Sequence, residues 1–176
     1  TFELIVRNNA GVIATSSVPT AVTVSELTET SFTWTGAAGN GRWKDAGNWN
    51  PEAVPDDGDE ATVQAGAAIL LVEPTAALAA FNMTGGTLTF TNWTTCLRAE
   101  TVTLGAGALI TSAGPVQDAP AMSNRVWIVC SNLTVAANAS IDVAGKGYAG
   151  SSTLFGTGPG GAVNVNATGG SHGGAG

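Results

Sequence analysis

Charge is what this sequence has least of. Of its 176 residues only 11% are charged, 13 of them acidic and 6 basic, for a formal net charge of −7. Arg7, Arg42, Lys44, Arg98, Arg125 and Lys146 are scattered along the chain. A nucleic-acid groove needs clustered Lys and Arg to replace phosphate counterions, so nucleic acid is excluded as a partner, and an anionic membrane surface with it. Histidine occurs once, in Gly170-Ser-His-Gly-Gly174, and cysteine twice. His172 in that setting reads as an exposed loop residue, which leaves no Ser-His-Asp triad and no Cys/His cluster for zinc. No apolar run approaches the roughly 20 residues of a membrane helix, the longest being residues 65–72. The strong helix formers Lys, Glu, Gln, Met and Arg are scarce as well, which predicts a chain with almost no helix.

Thr, Val, Ser, Asn and Gly dominate instead, and 44% of the residues are hydrophobic. That is ample for a core and excludes disorder throughout. The composition predicts an all-β fold. The chain begins without Met and ends in Gly173-Gly-Ala-Gly176, and is read as a piece of something longer.

Four sections follow from patterning. Residues 1–30 alternate like a β-ribbon, with Phe2, Leu4 and Val6 on one face, turn chemistry at Asn8-Asn9-Ala10-Gly11, and a third short strand at Ala21-Val-Thr-Val24. They resemble part of an immunoglobulin-like module. Residues 31–60 are a Trp-rich cap holding Trp34, Trp43 and Trp49. Residues 61–145 carry a repeat. Val63-Gln-Ala-Gly-Ala-Ala-Ile69 matches Leu104-Gly-Ala-Gly-Ala-Leu-Ile110 and Val135-Ala-Ala-Asn-Ala-Ser-Ile141, with a weaker copy at Met83-Thr-Gly-Gly-Thr-Leu-Thr89. The central Gly66, Gly86, Gly107 and Asn138 stand 20, 21 and 31 residues apart. Gly and Asn tolerate left-handed backbone, so one turn recurs. A unit of about 20 residues with one such corner predicts a right-handed parallel β-helix, that is, a β-solenoid. An antiparallel β-sandwich is the alternative. The long step is assigned to an insertion, Ala113-Gly-Pro-Val-Gln-Asp-Ala-Pro120. Residues 146–176 read as a Gly-rich loop or incomplete coil, with Val163-Asn-Val165 one more candidate strand.

Few motifs carry chemistry. Gly145-Lys-Gly-Tyr-Ala-Gly150 and Gly156-Thr-Gly-Pro-Gly-Gly161 fit G-x-G-x-x-G, but Asp142 is the last acid and Pro159 spoils a helix start, so no nucleotide site is assigned. Asp56, Asp57, Asp59 and Glu60 are a weak Ca²⁺ candidate beside the simpler reading of an Asp-Gly turn. Glu100, Asp118 and Asp142 lack telling contexts as a hydrolytic pair, as do Arg125 and Lys146 for lyase chemistry. No catalytic residue and no cofactor is assigned. Cys96 and Cys130 precede successive repeats by similar distances and form a candidate disulfide, with two free thiols as the other reading. Trp34, Trp43 and Trp49 either stack on sugar rings or plug the end of the repeat. Asn-x-Ser/Thr sequons start at Asn82, Asn92, Asn132, Asn138 and Asn166.

The pattern Trp34-Thr-Gly36, Trp43, Asn48-Trp49, Val54-Pro55, Gly58-Asp59 and Ala61-Thr-Val63 resembles a motif of large secreted bacterial proteins. In adhesin-like and autotransporter-like exoproteins, and in some polysaccharide-degrading ones, it introduces β-solenoid regions. The resemblance covers residues 32–145 and implies export to the cell surface. The expected function is a non-enzymatic structural or adhesive segment, self-assembling or stacked on the rest of its parent chain. The alternative is the non-catalytic front of a β-helical carbohydrate-active enzyme, a polysaccharide lyase or glycoside hydrolase, with polysaccharide as partner.

Overall fold

The computed structural model describes residues 4–8, 11–16, 30–115 and 124–147, the first two stretches by their backbone alone. The candidate strand at Ala21-Val-Thr-Val24, Asp118, His172 and most of the Gly-rich section lie outside the described residues. The strands in chain order are β1 (Leu4–Asn8), β2 (Gly11–Ser16), β3 (Ser31–Trp34), β4 (Trp49–Asn50), β5 (Glu60–Val63), β6 (Ala68–Leu71), β7 (Ala77–Met83), β8 (Gly86–Phe90), β9 (Leu97–Leu104), β10 (Ala108–Ser112), β11 (Ile128–Val129), β12 (Asn132–Val135) and β13 (Ser140–Ile141). One 3₁₀ turn, Ala46–Asn48, is the only helical piece among the described residues.

The protein is all-β with parallel sheets, and the antiparallel sandwich is thereby overturned. β1 and β2 pair antiparallel. From β5 onward the chain alternates between two sheets. One holds β11 and β12, then β9, β7, β5, β3 and β4; the other holds β13, β10, β8 and β6. The pairings β3–β5, β5–β7, β7–β9 and β9–β12 are parallel, as are β6–β8, β8–β10 and β10–β13. Only β3–β4 departs from this within the two sheets, running antiparallel.

The register explains the repeat. Val63, Met83, Leu104 and Val135 stand level in the first sheet, and Ile69, Leu88, Ile110 and Ile141 in the second. Alternation along each strand turns these residues inward, where all but the last of each row are at most 2% exposed. Their side chains merge into one core with Phe32, Phe81, Phe90 and Val102.

All four predicted corners have positive φ: Gly66 at 85°, Gly86 at 89°, Gly107 at 83° and Asn138 at 65°. One differs in length. Ala68 pairs with Thr87, so the corner between β7 and β8 is a residue shorter than that between β5 and β6, and Leu88 rather than Thr89 stands level with Ile69. The shorter corner lies close on the one beside it, where Thr87 N–H donates to Ala67 O at 2.8 Å.

Trp34, Trp43 and Trp49 close the core beside β3. They are 7%, 1% and 3% exposed. Trp49 meets Trp34 and Trp43 edge-on at 5.0 and 4.7 Å, and its Nε1–H donates to Trp43 O at 2.8 Å. Asn48, fully buried, ties the loop around them. Its Nδ2 donates to Asn40 Oδ1 and Arg42 O, and its Oδ1 accepts from Ala38 N–H. Leu70 N–H donates to Gly41 O and Trp43 N–H to Leu70 O, so the loop also lines the edge of β6. β4 meanwhile covers the edge of β3, blunting a strand edge that would otherwise pair with other chains.

Candidate functional site

Burial removes Trp34, Trp43 and Trp49 from the sugar-stacking candidates, since a ring closed in a core has no face to offer. The acidic run is a turn that staples neighbouring units. Asp59 accepts the N–H groups of Asp56 and Thr30, Asp57 accepts that of Ala77, and Glu60 accepts the Ser31 hydroxyl. With their oxygens committed to separate donors, these carboxylates do not converge. No group of three or more His, Cys, Asp or Glu among the described residues is placed to hold a metal ion.

Cys96 and Cys130 are free thiols, which corrects the expected disulfide. Ile128 stands level with Leu97, a step of 31 residues, whereas the cysteines are 34 apart. Cys130 is therefore displaced by three positions along the neighbouring strand. At about 3.3 Å per residue that offset alone exceeds the Cα separation of about 7 Å that a disulfide tolerates.

The weaker catalytic candidates are dispersed. Glu100 is exposed on β9 in the first sheet, while Asp142 follows β13 in the second and accepts the N–H of Ala144. Of the sequons, Asn92 and Asn138 adopt left-handed backbone, Asn132 is exposed on β12, Asn82 is half-buried on β7, and Asn166 lies outside the described residues.

Two tryptophans that the sequence did not single out are the exposed ones. Trp93 is 48% and Trp127 36% exposed. Trp93 lies on the connection from β8 to β9 and Trp127 on that from β10 to β11, so they stand at the same corner of successive units. Between them lies Arg125, its guanidinium carbon 4.6 Å from the Trp93 ring centre and 4.1 Å from that of Trp127. Arg125 Nε donates to Trp93 O at 2.7 Å. Asn92, at φ 68°, fixes the platform in both directions. Its Nδ2 donates to Val72 O at 2.7 Å, and its N–H donates to Asn124 Oδ1 at 2.8 Å. The result is a ring–cation–ring stack open to solvent, held by backbone contacts spanning three successive connections.

A second surface is the outward side of the first sheet. Thr33, Thr62, Asn82, Thr103 and Thr134 stand level on five adjacent strands, a row of uncharged hydrogen-bonding groups about 4.8 Å apart. At one end of that sheet a groove runs past Gly58, Leu78, Arg98, Glu100 and Cys130. It brings together one base, one acid and one thiol.

Comparison with protein-family models, with curated proteins and with solved structures returned no match.

Proposed function

We propose that the chain is part of a right-handed parallel β-solenoid, fronted by its Trp-rich section. It serves as a non-enzymatic structural or adhesive segment of an exported bacterial surface protein. One observation carries the reading. Leu133, Val135 and Ile141 are 47%, 45% and 42% exposed, yet they stand level with Val102, Leu104 and Ile110, which are fully buried one unit earlier. A surface patterned as core, left open at one end among the described residues, is what a stack presents where its next unit docks. Each such side chain, already about half buried, contributes about 0.7–1.5 kcal/mol when covered. The opposite end is closed by β4 and the three tryptophans, so growth has one direction. Low charge agrees with this, because the outward row Thr33, Thr62, Asn82, Thr103 and Thr134 holds no charged residue.

The test is electron microscopy of the native, source-purified protein together with immunogold labelling of intact cells. Rods or fibres at the cell surface are expected. Compact isolated particles confined to the cell interior overturn the proposal.

The exposed Trp93–Arg125–Trp127 stack favours a second reading, the non-catalytic front of a β-helical carbohydrate-active enzyme. It predicts polysaccharide cleavage by the native protein and none by residues 1–176 alone.

A further inference from the structure

An indole left in water forgoes the burial that makes tryptophan useful to a fold, and this chain spends three of its five in the core. Trp93 and Trp127 are the other two, and they are not scattered. They share one cation, at one corner, on consecutive units. The Arg125 guanidinium lies over both rings. Its contacts are the two rings and the Trp93 carbonyl, so its Nη donors have no hydrogen-bond partner among the described residues. Asn92 pins the platform to the connections on either side, so little ordering remains to oppose binding.

We propose that Trp93, Arg125 and Trp127 form a binding site for pyranose rings of a neutral polysaccharide. A pyranose offers an apolar C–H face to an indole and hydroxyls at its rim to a guanidinium fork, which is the chemistry this stack presents. Neutral rather than acidic glycan follows from charge. The protein carries −7 overall with 6 basic residues, so a polyanion is repelled by the molecule as a whole. The same deficit disfavours a nucleic-acid strand, whose bases also stack on aromatics but whose phosphates need several cations. Two platforms one unit apart suit a repeating polymer better than a single sugar, since linked contacts raise the effective affinity. The site depends on neither the solenoid reading nor surface localisation, so it stands or falls separately from them.

The experiment is affinity electrophoresis of the 176-residue chain through native gels containing soluble β-glucan, xylan or galactomannan, with polygalacturonate gels and anionic phospholipid vesicles as further probes. Retardation in at least one neutral polysaccharide is expected. Trp93→Ala, Trp127→Ala and Arg125→Ala should each weaken it about tenfold or more. Trp93→Tyr, which keeps a flat ring, should retain most of the binding, and Thr62→Ala on the outward face of β5 should retain all of it. Circular dichroism of each variant separates lost binding from lost fold. The proposal is overturned by absence of retardation in every neutral polysaccharide, by binding that survives in a folded Trp93→Ala/Trp127→Ala double variant, or by interaction with polygalacturonate or vesicles alone.

Discussion

Replacing Gly86 by alanine should cost much more than the same change at Gly66 or Gly107. The three glycines share a left-handed φ between 83° and 89°, so each substitution carries the same backbone penalty of about 1–2 kcal/mol. What differs is the space. A Cβ at Gly66 or Gly107 meets nothing within 4 Å, whereas one at Gly86 meets Ala67 O at 2.6 Å and Ala67 N at 3.0 Å. That oxygen accepts from Thr87 N–H at 2.8 Å, so it cannot retreat without loosening a bond between neighbouring units. Overpacking adds about 1–3 kcal/mol and the weakened hydrogen bond about 1 kcal/mol, for a total near 3–6 kcal/mol. Such a loss is a large fraction of the whole stability of an ordinary domain. Urea unfolding followed by circular dichroism and tryptophan fluorescence reads the difference, provided the slope with denaturant is unchanged. Asparagine at Gly66 or Gly107 should be tolerated within about 1 kcal/mol, because Asn138 occupies the corresponding corner at φ 65°. If alanine at 86 and at 66 shift the midpoint equally, the close approach of the two corners is wrong, and the register between β6 and β8 with it.

Trp43→Ala should destabilise by about 3–5 kcal/mol in the same assay, because it empties a site packed by Trp49 and Phe81; a loss under 1 kcal/mol would contradict the closed core end. Asp59→Ala should cost about 1–2 kcal/mol through two lost backbone bonds, while 10 mM Ca²⁺ leaves the wild-type midpoint unmoved, and a calcium-dependent rise would show a site that the turn geometry does not provide. Thiol titration without reductant should find two reactive cysteines after denaturation, with partly exposed Cys130 reacting faster than buried Cys96 in the native protein; two masked thiols in the denatured chain would restore the disulfide.

Much of the backbone was legible because it rests on local rules. Gly66, Gly107 and Asn138 mark corners since few residues accept positive φ, and inward Val, Leu and Ile mark strands since alternation is fixed by the pleat. The corner at Gly86 was located correctly but aligned one residue out, because nothing local distinguishes a five-residue step from a six-residue one. The cysteines misled for a related reason. Trp93-Thr-Thr-Cys96 and Trp127-Ile-Val-Cys130 look equivalent in sequence, but the strands pair with a step of 31 rather than 34 residues. That same pair of short motifs was the available signal for the aromatic stack. Its meaning emerged only once the register set Trp127, rather than Cys130, beside Cys96, where Leu97 N–H reaches Trp127 O.

Composition and spacing by themselves determined an all-β chain built from repeated units. Those properties depend on residue type and on distances along the chain, which a sequence states outright. The tertiary structure decided that the sheets are parallel, that the acidic run staples backbone rather than converging, and that the cysteines miss one another. It also decided which tryptophans are core and which are surface. Each of these depends on which strands lie side by side and in what register. That is fixed by how inward side chains from distant units fill one shared interior, and no single segment contains the information.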